Sequence, residues 1–159
     1  MIVRKAERRD AETLFEFILK LDRDGSPVRS PEMSVDDIIA AGFGSDPLFE
    51  AFIAETADGV PLGAISFTRG YSGWYAKPLA MVHLLFVIEE ARGKGIGLKL
   101  MAAVADVVVK RNWARLELIV EEDRPAIRFY ESIGMQNCEH RHFRLEDRGL
   151  TELAQKMQI

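Results

Sequence analysis

Arg92-Gly93-Lys94-Gly95-Ile96-Gly97 follows an apolar run at residues 79–88 and opens a helix-like segment that continues to residue 110. A strand, a glycine-rich turn and a helix in that order make an anion site. Glycine has no Cβ, so the backbone can come close to a ligand, and the first amides of a helix have no carbonyl of their own helix to bond. Those N–H groups and the positive end of the helix dipole favour phosphate oxygens. Arg92 and Lys94 add two cations beside the turn.

Spacing separates the families that build such a turn. A nucleotide-binding loop of the form G-x-x-x-x-G-K-S/T needs glycine at position 88, which is Ile88, and Ser or Thr after Lys94, which is Gly95. The dinucleotide fingerprint G-x-G-x-x-G places Leu98 where its last glycine belongs, although Glu117 sits about twenty residues on, where a ribose-binding acid is expected. The pattern that survives is Arg92-x-x-Gly95-x-Gly97 after a buried strand. It resembles the pyrophosphate loop of the GNAT superfamily of acetyl-CoA-dependent N-acetyltransferases.

Composition narrows the rest. With 159 residues, 48% of them hydrophobic, the chain has enough material for one sizeable core, and a single domain over residues 1–159 is the expectation. Its 21 basic and 25 acidic residues give a formal net charge of −4, so no basic footprint points to nucleic acid or to an anionic membrane. Cys138 is the only cysteine, which excludes a disulfide within the chain and fits a reducing cytoplasm. The first residues lack the apolar centre of a signal peptide, and no apolar run approaches a membrane span. A soluble cytoplasmic protein is expected.

Along the chain, residues 2–6 read as a strand and residues 10–21 as a helix with Leu14, Ile18 and Leu21 on one face. Residues 22–31 are rich in breakers. Ser34 and Asp37 have capping-box spacing and start a second short helix. The loop and helix here either cover a substrate site or simply connect. Strand-like runs at residues 49–56 and 60–67 meet across Asp58-Gly59, a hairpin signal. Residues 68–78 read as a loop carrying Tyr71, Trp74 and Tyr75, which either stack on an acceptor or pack as an ordinary turn. Residues 79–88 read as a strand covered on both faces and interrupted by one polar residue, His83. A helix at residues 96–110, a strand at 114–120 and a helix at 125–133 follow, then short strands near 135–138 and 142–145 and a helix from residue 150. The order implies a mixed, mostly antiparallel α/β sheet of about six to seven strands flanked by helices.

From residue 79 to about 153, and more weakly from residue 49, the chain resembles the spermidine/spermine N-acetyltransferase branch of GNAT. Three segments carry the resemblance: Leu85-Phe86-Val87 through Gly97, Arg124-Pro125-Ala126-Ile127-Arg128-Phe129-Tyr130-Glu131-Ser132-Ile133-Gly134, and His142-Phe143-Arg144-Leu145. It implies acetyl-CoA in a splay between two central parallel strands, its pantetheine arm along Leu85, Phe86 and Val87 and its pyrophosphate on Arg92, Gly93, Lys94, Gly95, Ile96 and Gly97. A backbone N–H near Phe86 would polarise the thioester carbonyl. Asp123 stands where the family has an asparagine near CoA, seven residues before the tyrosine matched by Tyr130. That tyrosine protonates the departing thiolate, and a phenol of pKa about 10 facing a thiol near 8.5 makes the transfer a small uphill step. The lesser alternative for Tyr130 is a buried aromatic of the Phe129-Tyr130 helix face.

An alkyl ammonium of pKa about 10.4 must lose a proton before it attacks, at a cost of roughly 4 to 5 kcal/mol at neutral pH without a base. His83 occupies the position of the branch's glutamate, and an imidazole of ordinary pKa about 6.5 suits the task. A lone His in an apolar strand is also a common core residue. Strict alternation puts His83, Leu85 and Val87 on one face. The branch's acidic pair is His83-Leu84 here, and its Asp-Pro before the loop tryptophan is Ser72-Gly73, so the carboxylates that would hold a polycation are missing, which counts against polyamine specificity; Asp22, Asp24, Glu32 and Asp36 of the early loop are the candidates to replace them.

The expected activity is acetyl transfer from acetyl-CoA to a primary amine of a small molecule, polyamine-like or amino-acid-like, by a homodimer, with His83, Tyr71 and Trp74 at the acceptor. Acetylation of a protein N-terminus or lysine and a non-catalytic acyl-CoA sensor are the other readings. No metal is expected: Glu139-His140-Arg141-His142 is a poor zinc pattern, and nothing in the sequence activates Cys138.

Overall fold

The hairpin signal at Asp58-Gly59 is realised: Gly59 has φ +82°, and Thr56 and Val60 close the turn with bonds of 2.9 Å from Thr56 N to Val60 O and 3.0 Å from Val60 N to Thr56 Oγ1. The computed structural model describes residues 1–23, 32–121, 124–138, 143 and 145–158. They fall into two compact units, Met1–Arg124 and Pro125–Ile159.

The first unit is built on a five-stranded sheet in chain order, β1 (Ile2–Lys5), β2 (Phe49–Glu55), β3 (Pro61–Ser72), β4 (Lys77–Val87) and β5 (Leu116–Leu118). The first four strands are antiparallel, and β4 and β5 are parallel. α1 (Ala11–Arg23) and α2 (Val35–Phe43) precede β2, and α3 (Ile96–Lys110) crosses from β4 to β5. Ser34 caps α2 as its spacing requires, with Asp37 N donating to Ser34 Oγ at 3.3 Å and Ser34 N donating to Asp37 Oδ2 at 2.7 Å.

Both sheet faces are covered, which is why the strands read as near-continuous apolar runs. Ile53, Ala64, Leu84 and Phe86 pack with Leu14 and Phe17 of α1 and Ile38 of α2, and the Phe17 and Phe86 rings lie 5.0 Å apart. On the other face Phe52 stacks with Phe67 at 6.3 Å, and α3 buries Leu100 and Val104 completely.

Three expectations are corrected. Residues 68–72 extend β3 instead of forming a loop, since Tyr71 and Ser72 pair with Pro78 and Lys77, and buried Ser72 accepts a 3.0 Å bond from Arg115 Nη1. The turn is confined to residues 73–76. The second unit comprises α4 (Ala126–Ser132) and α5 (Asp147–Gln155), with Gly134 at φ +89° ending the first. Residues 135–138 form no strand, because the described sheet ends at β5 and gives them no ladder. Of the expected strand at residues 142–145, His142 and Arg144 lie outside the described residues, so the described sheet has five strands instead of six or seven.

Polar clamps tie the elements at the sheet's margin. Arg4 of β1 reaches Asp10 at 2.7 Å and Glu55 of β2 at 2.8 Å. Glu50 of β2 receives Arg111, just past α3, with Nη2 at 2.9 Å, and Lys5 of β1 at 3.0 Å. The Arg111 bonds, with help from Lys5, hold the Glu50 carboxyl down at about 2, below its ordinary value near 4.3. A depressed folded value means that this stabilisation is complete above about pH 4.3 and disappears as the pH falls through about 2. Glu50→Gln is therefore expected to lower the melting temperature at pH 7 and to flatten its decline between those two pH values, as read by calorimetry. An unchanged decline would contradict the clamp.

Candidate active site

Strand β4 changes its pairing habit halfway along. Ser66 pairs with Leu84 but Phe67 pairs with Val82, so His83 is an extra residue without a Cα partner, a β-bulge. The bulge reverses the alternation. Val82 pairs with Phe67 on the α3 face, whereas Leu84 and Phe86 pack on the α1 face.

Backbone groups are re-aimed with the side chains. Before the bulge, Pro78 and Ala80 turn toward the β5 side, with Ala114 N to Pro78 O at 2.7 Å and Ala80 N to Arg115 O at 3.0 Å. After it, Ile88 N donates to Leu62 O at 3.0 Å, and the alternating ladder then directs Phe86 and Leu84 to β3 and leaves Leu85 and Val87 facing the other way. A Cβ built on Gly63 would lie 2.5 Å from the Phe86 carbonyl oxygen, as that orientation requires. β5 pairs only with Ala80, Met81 and Val82, so no described strand of this unit meets Leu85 and Val87. Parallel strands that part after three pairs leave an open edge that no described strand pairs. Of the three residues expected to bond a pantetheine arm, Leu85 and Val87 offer backbone groups there. Phe86 sends its ring into the core and its backbone to β3.

The open edge runs into the glycine turn. After a short 3₁₀ turn (Glu89–Ala91), Gly93 and Gly95 take φ +74° and +75°, and a Cβ at either would meet nothing within 4 Å. The glycines are thus needed for backbone conformation and for the space left in front of it. Gly95 caps α3, whose first bond is Lys99 N to Gly95 O at 3.1 Å, so the Ile96, Gly97 and Leu98 amides lie ahead of the intrahelical ladder. Arg92 Nε donates to Val87 O at 3.1 Å with its guanidinium 6.0 Å from the Phe86 ring, and Lys94 Nζ donates to Glu90 O at 2.8 Å. The two cations staple the turn to the end of β4 and stay exposed.

His83 is exposed, and its Nε2 lies 2.8 Å from Thr68 Oγ1 on β3. Thr68 shares the Ala64 face, so His83 points to the α1 side while Leu85 and Val87 pair with Ile65 and Gly63 of the opposite parity. The expected common face of His83, Leu85 and Val87 does not form, because the bulge intervenes. The core-residue reading of His83 fails with its exposure. No local signal in the sequence marks Thr68; with β3 running through Ser72, the turn at residues 73–76 brings residue 68 opposite residue 81 and beside His83.

Tyr71 and Trp74 are not gathered around His83. Tyr71 stands four pairs further along β3 than Phe67, roughly 13 Å away at strand rise, and Trp74 at the hairpin tip is 90% exposed. Tyr75 has Arg115 at 5.7 Å over its ring. In the second unit, Tyr130 is half-buried on α4 with the Phe129 ring at 5.4 Å, and burial pushes its phenol above the ordinary value. Asp123, Asp24, His140 and His142 lie outside the described residues; Glu32 and Asp36 are exposed.

The first unit thus joins a bulged central strand, an open parallel edge and a glycine turn at a helix N-terminus. A model of the acetyltransferase (GNAT) family matches residues 15–135. The chain belongs to that family and is an acetyltransferase. It is 27% identical over 168 residues to thialysine N-epsilon-acetyltransferase of Sus scrofa, covering 98% of each chain. It is 24% identical over 139 residues to the human spermidine/spermine N(1)-acetyltransferase-like protein 1, covering 83% of this chain and 20% of that one. Among solved structures, the integron cassette protein from the mobile metagenome of V. cholerae superposes with a TM-score of 0.74 at 26% identity over 96% of both chains.

Since the left-handed backbone is strained for a residue with a Cβ, Gly95→Ala is expected to cost about 1–2 kcal/mol in urea unfolding although nothing sterically opposes the methyl group. Wild-type stability in that variant would show that the turn relaxes to another conformation.

Proposed function

We propose that this acetyltransferase moves the acetyl group of acetyl-CoA directly to a primary amine of a small molecule, polyamine-like or amino-acid-like. The observation that carries the reading is the continuity of the open β4 edge with the glycine turn. A diphosphate held by the Gly93 to Leu98 backbone would leave its pantetheine arm running back along β4 past Val87 and Leu85. Its reactive end then arrives next to the bulge, where His83 lies roughly 7 Å along the strand from Leu85. Arg92, Lys94 and the α3 dipole balance the diphosphate charge, and a Leu85 or Val87 amide donates to the thioester carbonyl.

His83 takes the proton that the acceptor ammonium must lose, and its exposed ring meets an amine arriving on the α1 side of the sheet. Tyr130 returns a proton to the thiolate; its phenol is protonated at neutral pH as any tyrosine is, and the burial that raises it makes the transfer somewhat more uphill. One relative is named for acetylation of thialysine at its ε nitrogen and another is named as like a spermidine/spermine N(1)-acetyltransferase, which favours a short alkylamine here. Tyr71 and Trp74 serve the acceptor only through a part of it that reaches toward the hairpin tip.

The family match crosses the boundary between the two units, in keeping with one GNAT domain over residues 1–159. α5 leaves Leu150 and Leu153 exposed, and Phe143 is 85% exposed, which suits a homodimer contact. No helix among the described residues is long and apolar enough to cross a membrane, and the lone, exposed Cys138 agrees with a cytoplasmic setting.

His83→Gln and Tyr130→Phe are each expected to lower kcat about 100-fold or more while acetyl-CoA still binds with near wild-type affinity, measured by initial rates and calorimetric titration. Unchanged turnover in both would remove the assigned acid and base. Absence of any turnover in the wild type, with acetyl-CoA bound, would favour a sensor.

A further inference from the structure

The contact between His83 and Thr68 does more than anchor an exposed ring. In register Thr68 faces Met81, two residues before His83, and the bond reaches the ring because the bulge places an extra residue on that stretch of β4. An imidazole works as a base only if one nitrogen keeps a free lone pair. When Nε2 receives the Thr68 hydroxyl proton, the ring proton sits on Nδ1 and neither nitrogen remains available. When Nε2–H donates to Thr68 Oγ1, the Nδ1 lone pair is free.

We propose that Thr68 is the positioning residue for His83, accepting from Nε2–H and so fixing the tautomer and ring orientation in which Nδ1 is the base. The proposal rests on His83 being the base of the acetyl transfer. In the proton-transfer step an N–H bond of the acceptor ammonium breaks, its electron pair stays on the amine nitrogen, and the proton forms a bond to Nδ1. The positive charge moves to the imidazolium, whose Nε2–H keeps donating to Thr68 Oγ1. The hydroxyl thus serves the ring before and after the transfer, without touching the reacting amine.

Half-buried Thr68 lies within β3, and valine there preserves shape and strand preference while deleting the hydroxyl. Thr68→Val is expected to lower kcat about tenfold, the worth of one ordinary hydrogen bond, with KM for acetyl-CoA unchanged. Thr68→Ser should recover most of the loss. Nitrogen NMR of the ring supplies a readout independent of turnover, feasible because the chain has three histidines and His83→Gln assigns the signals. The neutral wild-type ring should carry its proton on Nε2, Thr68→Ser should match it, and Thr68→Val should shift both nitrogens toward an average of the two tautomers.

The two levels of the reading separate cleanly. If His83→Gln is crippled but Thr68→Val has wild-type kcat and nitrogen shifts, Thr68 is overturned as the positioning residue while the base stands. If His83→Gln turns over as wild type, the base reading falls and the positioning role falls with it. A wild-type ring protonated on Nδ1 would overturn the proposal whatever the kinetics.

Discussion

The arrangement depends on one stretch of strand edge that no described strand pairs. β4 and β5 run parallel for three residue pairs and then part, so Leu85 and Val87 present backbone groups with no described strand beside them. Arg92 Nε takes up the Val87 carbonyl at 3.1 Å, and a buried sheet rarely leaves a strand edge without a ladder, because each forgone bond costs free energy that folding cannot recover elsewhere. Its persistence makes sense if a ligand completes the ladder. The bulge at His83 decides which groups are left over: without the extra residue, the outward set after Val82 would be Leu84 and Phe86, and the core aromatics would lose their register.

In the proposed reaction the same residue links binding to chemistry. By inserting His83, the chain turns a polar ring out on the α1 face while Leu84 and Phe86 return to the core beside Phe17. Further on, Arg92 and Lys94 fasten the glycine turn to the carbonyls of Val87 and Glu90, so the helix amides meet the open edge at a set distance. Strand edge, turn and helix terminus then form one continuous surface of donors.

Local signals carried much of this into the sequence. Ser34 and Asp37 cap a helix because a hydroxyl and a carboxylate three residues apart satisfy each other's backbone amides, a device readable without tertiary knowledge. Asp58-Gly59 marks a hairpin for a similarly local reason, and the glycine turn was legible because positive φ restricts the residue type. The bulge was not, since an apolar strand with one histidine has no unique register until β3 is laid against it. Nor was the length of β3: Tyr71 and Ser72 look like loop residues and become strand only through Pro78, Lys77 and the Arg115 bond. Residues 135–138 show the opposite case, strand-like in sequence and without a ladder in the described sheet.

The central claim is tested most directly by measuring CoA thiol release from acetyl-CoA with a panel of acceptors: polyamines, lysine and its analogues, other amino acids, aminoglycosides and short peptides. The account predicts saturable turnover with at least one short alkylamine and acetylation of its primary amine in the product. Turnover confined to peptides, or none with any small amine despite saturable acetyl-CoA binding, would contradict it.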